Sequence, residues 1–171
     1  MESYWTKMSA SMIGTVAGFI FSICLFYITE SVKRKRAKEG ALKGLQREFD
    51  YNVALLDSWK SMIDKAVAQV ASGDHQVFEF FPYSRYSRLF TQQAFAAGLI
   101  FEVLGDDEAI ALEDILRFFS AETESFLNAQ IRAWNEGNID AKETLRTLHY
   151  NADMITKNRK ALAGFKSACA A

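Results

Sequence analysis

The sequence predicts an all-α fold: one N-terminal transmembrane helix followed by a cytoplasmic antiparallel helical bundle of three long helices and one short helix. Three observations predict it. An uncharged apolar run extends from Met8 to Ile28, apolar positions recur at alternating steps of three and four beyond Gly40, and the 171 residues include one proline. Half of the residues are apolar, which excludes a disordered chain, and so little proline argues against a sandwich of short strands. The expected organisation is a short extracytoplasmic N-terminus (1–7), the transmembrane helix (8–28), a basic juxtamembrane segment (29–40) and the bundle (41–171).

A helix the length of Met8–Ile28 spans about 30 Å, the hydrocarbon thickness of a bilayer. A globular core helix of that size normally keeps a polar face, and here only Ser and Thr interrupt the run. A cleaved signal peptide carries its basic residues ahead of the apolar region. In this chain Lys7 alone precedes, and Lys33, Arg34, Lys35, Arg36 and Lys38 follow. Short basic flanks stay in the cytoplasm, so the N-terminus is expected outside the inner membrane and the C-terminal domain inside. The same five charges are expected to attract anionic lipid, by about 1 kcal/mol each near the surface. Tyr4, Trp5 and Tyr27 fall near the two ends of the run, where amphipathic rings prefer the headgroup layer.

Ala10, Gly14, Gly18 and Ser22 recur at every fourth position. On a helix they form one narrow stripe that lets a second transmembrane helix, its own copy or a partner subunit, approach closely.

In the cytoplasmic part, Leu42, Leu45, Phe49, Asn52, Leu56, Trp59, Ile63, Ala66 and Val70 trace the seam of a first helix over Ala41–Ser72, with Gly40 and Gly44 as weak points. Asn52 is the polar member; such a residue either fixes register or oligomeric state in the seam, or bonds a neighbouring backbone or faces water. Gly73-Asp74 ends the helix. The stretch His75–Phe90 holds Phe78, Phe80, Phe81, Tyr83, Tyr86 and Phe90 with the lone Pro82, and reads as an aromatic loop. Its rings are expected to close one end of the core, and Tyr83, Arg85, Tyr86 and Arg88 form a candidate docking patch, being of the types that carry interface energy.

A short helix follows in "TQQAFAAG", with Thr91 as N-cap and Gly98 as stop, and then the apolar segment Leu99–Leu104. Asp106 or Asp107 is expected to cap a long helix ending at Gly137, with Ile110, Ile115, Phe118, Phe119, Phe126, Leu127, Ile131 and Trp134 on its core side. Asp140 and Glu143 have the spacing of a capping box at the start of the last helix. Leu145, Leu148, Ala152, Ile155 and Leu162 carry that helix's seam, with Phe165 near its end.

No constellation in the sequence predicts catalysis. Gly-rich phosphate loops and a nucleophile elbow are absent from it, and His149 with Asp153 makes a poor metal site of two unlike ligands. Glu113, Asp114, Glu122 and Glu124 read as the solvated face of a helix. The expectation is no catalytic residue, no metal and no cofactor, and no small-molecule substrate is evident. Acidic residues outnumber basic ones from Gly40 onward, which argues against a nucleic-acid partner. Cys24 and Cys169 suggest no disulfide framework.

The stretch "LQREFDYNVALL" places Glu48, Asn52 and Leu56 at four-residue steps after the anchor and its basic flank, and "SRLFTQQAFAAGLIFEVL" follows downstream. Together these resemble uncharacterised prokaryotic single-pass membrane proteins with a cytoplasmic helical domain. The loose motif E-x-x-x-N-x-x-x-L starts the first soluble helix in those proteins, over a region corresponding to about Lys33–Ile131 here. The resemblance implies an architecture and no catalytic residue. The expected role is a membrane-anchored, non-enzymatic interaction module: a scaffold, accessory subunit or regulator of a membrane assembly. The alternative is a self-assembling membrane effector whose glycine stripe packs copies into a ring or pore.

Overall fold

The computed structural model describes residues 15–77 and 79–169, and the backbone of 2–14 as well. It contains six α-helices and a single turn of 3₁₀ helix at Tyr83–Arg85, with no strand among the described residues. The helices are α1 (Glu2–Ala71), α2 (Leu89–Ala96), α3 (Leu99–Leu104), α4 (Asp106–Phe118), α5 (Ala121–Asn135) and α6 (Ala141–Ala168). The chain divides into two compact units, residues 1–40 and 41–171.

The first unit is the N-terminal part of α1, with the apolar run and the basic residues that follow it. It includes a stretch long and apolar enough to cross a membrane, and none of that stretch is buried within the protein. Phe19, Phe21, Phe26 and Ile28 all stand at least 60 % exposed. In a core helix such side chains are covered by other elements.

The second unit is built on the continuation of α1, which passes Gly40 and Gly44 without a break. Leu45, Phe49, Asn52, Leu56, Trp59, Ile63, Ala66 and Val70 are buried, and Leu42 packs half-buried beside them. The alternating three- and four-residue steps therefore mark the face on which the core is assembled. At the end of α1 the Gly73 amide bonds the Val70 carbonyl and the Asp74 amide bonds the Gln69 carbonyl. This paired closure needs a left-handed residue, and Gly73 supplies it at φ 78°. α6 lies beside this part of α1 in reverse chain order, with Lys166 paired to Asp50 and Arg159 to Asp57. These pairs are exposed and align the helices more than they stabilise them.

The expected long helix over residues 106–136 is two helices. α4 stops at Phe118, Phe119 takes up φ −83° and ψ 51°, and Ser120 starts α5 by accepting a bond from the Thr123 amide. The break turns Phe119 into the core, where its ring stacks on Tyr86 at 4.8 Å and meets Tyr83 edge-on at 5.3 Å. It also takes Ile110 and Phe126 off the core side, leaving them 58 % and 57 % exposed. Neither Asp106 nor Asp107 caps α4: both lie inside its first turn, and Gly105 precedes it. Thr91 likewise lies within α2 and does not cap it. Leu99–Leu104 is a helix, reached from α2 through the left-handed Gly98. Asp140 caps α6 as its spacing suggested, accepting from the Glu143 amide at 2.7 Å.

Candidate functional site

Side chains of α1 and α5 hold the backbone of the connection from α1 to α2, which sequence reasoning did not anticipate. It runs antiparallel along α5. The Asn135 amide takes both backbone groups of Val77, accepting from its N–H at 3.0 Å and donating to its C=O at 2.8 Å. Asn128 does the same for Phe81, at 3.0 and 3.2 Å. One helical step further on, Glu124 accepts from the Ser84 amide at 2.6 Å. At the near end Trp134 donates its indole N–H to the Asp74 carbonyl at 2.8 Å, and the His75 ring stacks on Trp134 at 4.1 Å. A side-chain amide offers one donor and one acceptor in a plane, so it can replace a neighbouring strand for one residue of irregular backbone.

The motif residues of α1 complete the ladder. Asn52 accepts from the Ser87 amide at 2.9 Å and donates to the Ser87 carbonyl at 2.8 Å. The buried Glu48 carboxylate accepts from the backbone amides of Phe90 and Thr91 at 2.8 and 3.0 Å, and from the hydroxyls of Thr91 and Ser87 at 2.5 and 3.1 Å. Phe90 and Thr91 are the second and third residues of α2. Glu48 is thus the cap of α2, supplied from another helix, where a carboxylate is favoured by the helix dipole. Asn52 serves an internal connection here.

The candidate docking patch is corrected by burial. Tyr83 and Tyr86 are core residues, 0 % and 3 % exposed. The Tyr83 hydroxyl donates to Asn151 at 3.0 Å, and its ring packs on Trp59 at 4.8 Å. Burial pushes both phenols above their ordinary range, and the nearby Glu48 charge adds to the effect on Tyr86. Arg88 is half-buried and donates to the Phe119 carbonyl. Arg85 alone of the four lies fully at the surface, where it lines a crevice of about 490 Å³ with Leu55, Met62, Phe80 and Pro82. Phe78 lies outside the described residues.

In the first unit, the side chains of Ala10 and Gly14 lie outside the described residues. Gly18 is exposed with nothing near the position of a Cβ, and the Ser22 hydroxyl donates to the Gly18 carbonyl at 2.8 Å. Lys33, Arg34, Lys35, Arg36 and Lys38 are all exposed, and Arg34 pairs with Glu30 at 3.2 Å. Cys169 is buried, which pushes its thiol up, and its carbonyl accepts from Gln46 at 2.9 Å. No group of three or more His, Cys, Asp or Glu is arranged to hold a metal ion among the described residues.

Sequence reasoning did not single out Asn128, Asn135, Asn151 or Asn158. A signal was present for the first two: they stand seven residues apart on one face of α5, a spacing that apolar patterning ignores. No family model, curated protein or solved structure matches the chain.

Proposed function

We propose that this chain is a membrane-anchored, non-enzymatic interaction module, acting as a scaffold, accessory subunit or regulator of a membrane assembly. One observation carries the reading: the apolar stretch of α1 leaves its large side chains uncovered by the rest of the chain. Such a surface calls for lipid or another helix. The basic residues Lys33–Lys38 favour an N-out orientation in the inner membrane, with residues 41–171 as a cytoplasmic antiparallel bundle. Gly18 leaves room for a second helix against α1. A conducting ring is less well supported, because Ser22 directs its hydroxyl to its own helix instead of a lumen. The resemblance to single-pass membrane proteins with a cytoplasmic helical domain is in keeping with this reading.

The test is membrane topology. Cys169 is a poor reporter because it is buried, so Cys24 and Cys169 are replaced by Ser and the exposed Ser72→Cys is introduced. The Ser72→Cys thiol should stay unlabelled by an impermeant maleimide on intact cells and react after the membrane is opened. Labelling from outside, or recovery of the uncleaved protein in the soluble fraction, would overturn the reading.

A further inference from the structure

We propose that the Arg85 crevice, between α1 and the loop carrying Phe80 and Pro82, receives the exposed face of α4 from a second copy of this chain. This deepens the interaction-module reading, for which it names a partner, and rests on it. Leu55, Trp59, Met62, Phe80 and Pro82 give the crevice an apolar lining, and its volume of about 490 Å³ admits a branched side chain. Phe80 stays 58 % exposed. Aromatic rings, methionine and arginine are the types enriched where proteins meet.

Arg85 is the one charged residue of that lining, and it makes no ion pair among the described residues. Glu124 accepts from the adjoining Ser84 amide at 2.6 Å, but it is no part of the lining and forms no ion pair with Arg85. A cation beside an apolar wall asks for an apolar group with a carboxylate next to it.

α4 presents that combination outward. Ile110 is 58 % exposed, and the surface neighbours of a helical residue stand three and four positions away on either side. For Ile110 these are Asp106, Asp107, Glu113 and Asp114, four exposed carboxylates around one apolar side chain. Arg117 holds Glu113 at 3.3 Å, while the other three make no ion pair among the described residues. The planar fork of Arg85 suits a carboxylate of this kind. Both halves of a complementary contact thus stand on one chain, with opposite charge around an apolar centre, and this commits the crevice to a copy. The two faces are unlike, so each joined pair keeps one crevice and one α4 face free, and the contact builds a ring or a row.

The probe is the full chain itself, with Cys24 and Cys169 replaced by Ser. Ser84→Cys on one tagged copy and Asp107→Cys on another, both surface positions, are coexpressed and the isolated membranes mildly oxidised. Disulfide-linked pairs of one copy of each kind should form, in excess over pairs of two like copies. Arg85→Glu on the first copy should lower their yield about tenfold, the scale of one charged contact, and Ile110→Ser on the second should lower it to a similar degree. Glu113→Lys with Asp114→Lys on the second copy should restore the yield with Arg85→Glu. That recovery also shows that the Arg85→Glu copy is folded. Mixed pairs no more frequent than like pairs, an unchanged yield with Arg85→Glu or Ile110→Ser, or no recovery on charge exchange would overturn the assignment. Should mixed pairs be missing while Ser72→Cys stays shielded from outside, the contact falls and the module reading stands. A chain absent from the membrane fraction removes both.

Discussion

Glu48 shows how much one residue can decide. Its carboxylate ends two free amide donors of α2 and two hydroxyls in a site closed to water, so any loss there leaves donors without partners. Charge-assisted bonds contribute about 1.5–3 kcal/mol each, and an orphaned buried donor costs about 1–3 kcal/mol. Glu48→Gln should therefore lower stability by about 2–3 kcal/mol, because the new NH₂ faces N–H groups that it cannot accept from. Urea unfolding followed by circular dichroism would read this as a lower midpoint at unchanged slope. A change of less than about 0.5 kcal/mol, the range of an ordinary surface substitution, would show that the carboxylate does not hold α2.

The two buried phenols give a second expectation at this scale. Unfolded tyrosine loses its proton near pH 10, whereas burial holds Tyr83 and Tyr86 protonated to higher pH. Above that point the unfolded chain binds fewer protons than the folded one, so stability falls as pH rises. Below it the contribution is fully present. Absorbance at the phenolate band should show these two tyrosines ionising only together with unfolding, and Tyr83→Phe with Tyr86→Phe should flatten the alkaline limb. Free titration of all six tyrosines with the helical signal intact would contradict their burial.

At the scale of elements, what was legible followed from period, and what was hidden followed from partners. The α1 seam could be read because a helix packed on one face needs apolar residues at fixed steps, whatever covers them. Asn52 stood out in that seam as polar, yet its partner Ser87 lies 35 residues away and no local rule connects them. The α4–α5 break was missed because Phe118 and Phe119 look alike in an apolar pattern. Ser120 with the acidic Glu122 and Glu124 behind it was the available signal of a helix start. Tertiary demand decided it: an unbroken helix could not direct Phe119 onto Tyr83 and Tyr86 together with its own seam.

Gly44 is another such demand. A Cβ at this position would come within 2.3 Å of the Phe90 ring, so α2 rests on bare helix backbone there. Gly44→Ala raises intrinsic helix propensity by about 1 kcal/mol, but the overlap reaches the root of the ring and forces it outward. Overpacking costs about 1–3 kcal/mol, so thermal unfolding should show a net loss of up to about 2 kcal/mol. Adding Phe90→Ala should remove the clash, giving a coupling of opposite sign in the double-mutant cycle. Strict additivity of the two changes would mean that α2 does not sit on Gly44.

For the whole molecule, the question is which parts depend on one another. Among the described residues the buried side chains begin at Leu45, and all of these belong to residues 41–171. The long apolar helix was legible in the sequence because such a run shows in length and apolarity alone, with no tertiary partner to know. The core of the second unit was half legible, since its apolar faces follow period while its polar ladder to Val77, Phe81 and Ser87 does not. A fragment covering residues 41–171 should accordingly fold by itself: soluble, strongly helical, and unfolding in one cooperative step. The full chain should stay with membranes through an alkaline carbonate wash. The fragment has one built-in control, because removing Glu48 or Asn52 acts on its core while changes at Phe19 or Phe21 are not in it. A fragment that aggregates or melts without cooperativity would show that the apolar stretch contributes to the fold itself. In that event its exposure in the structure could not be taken as a surface meant for lipid.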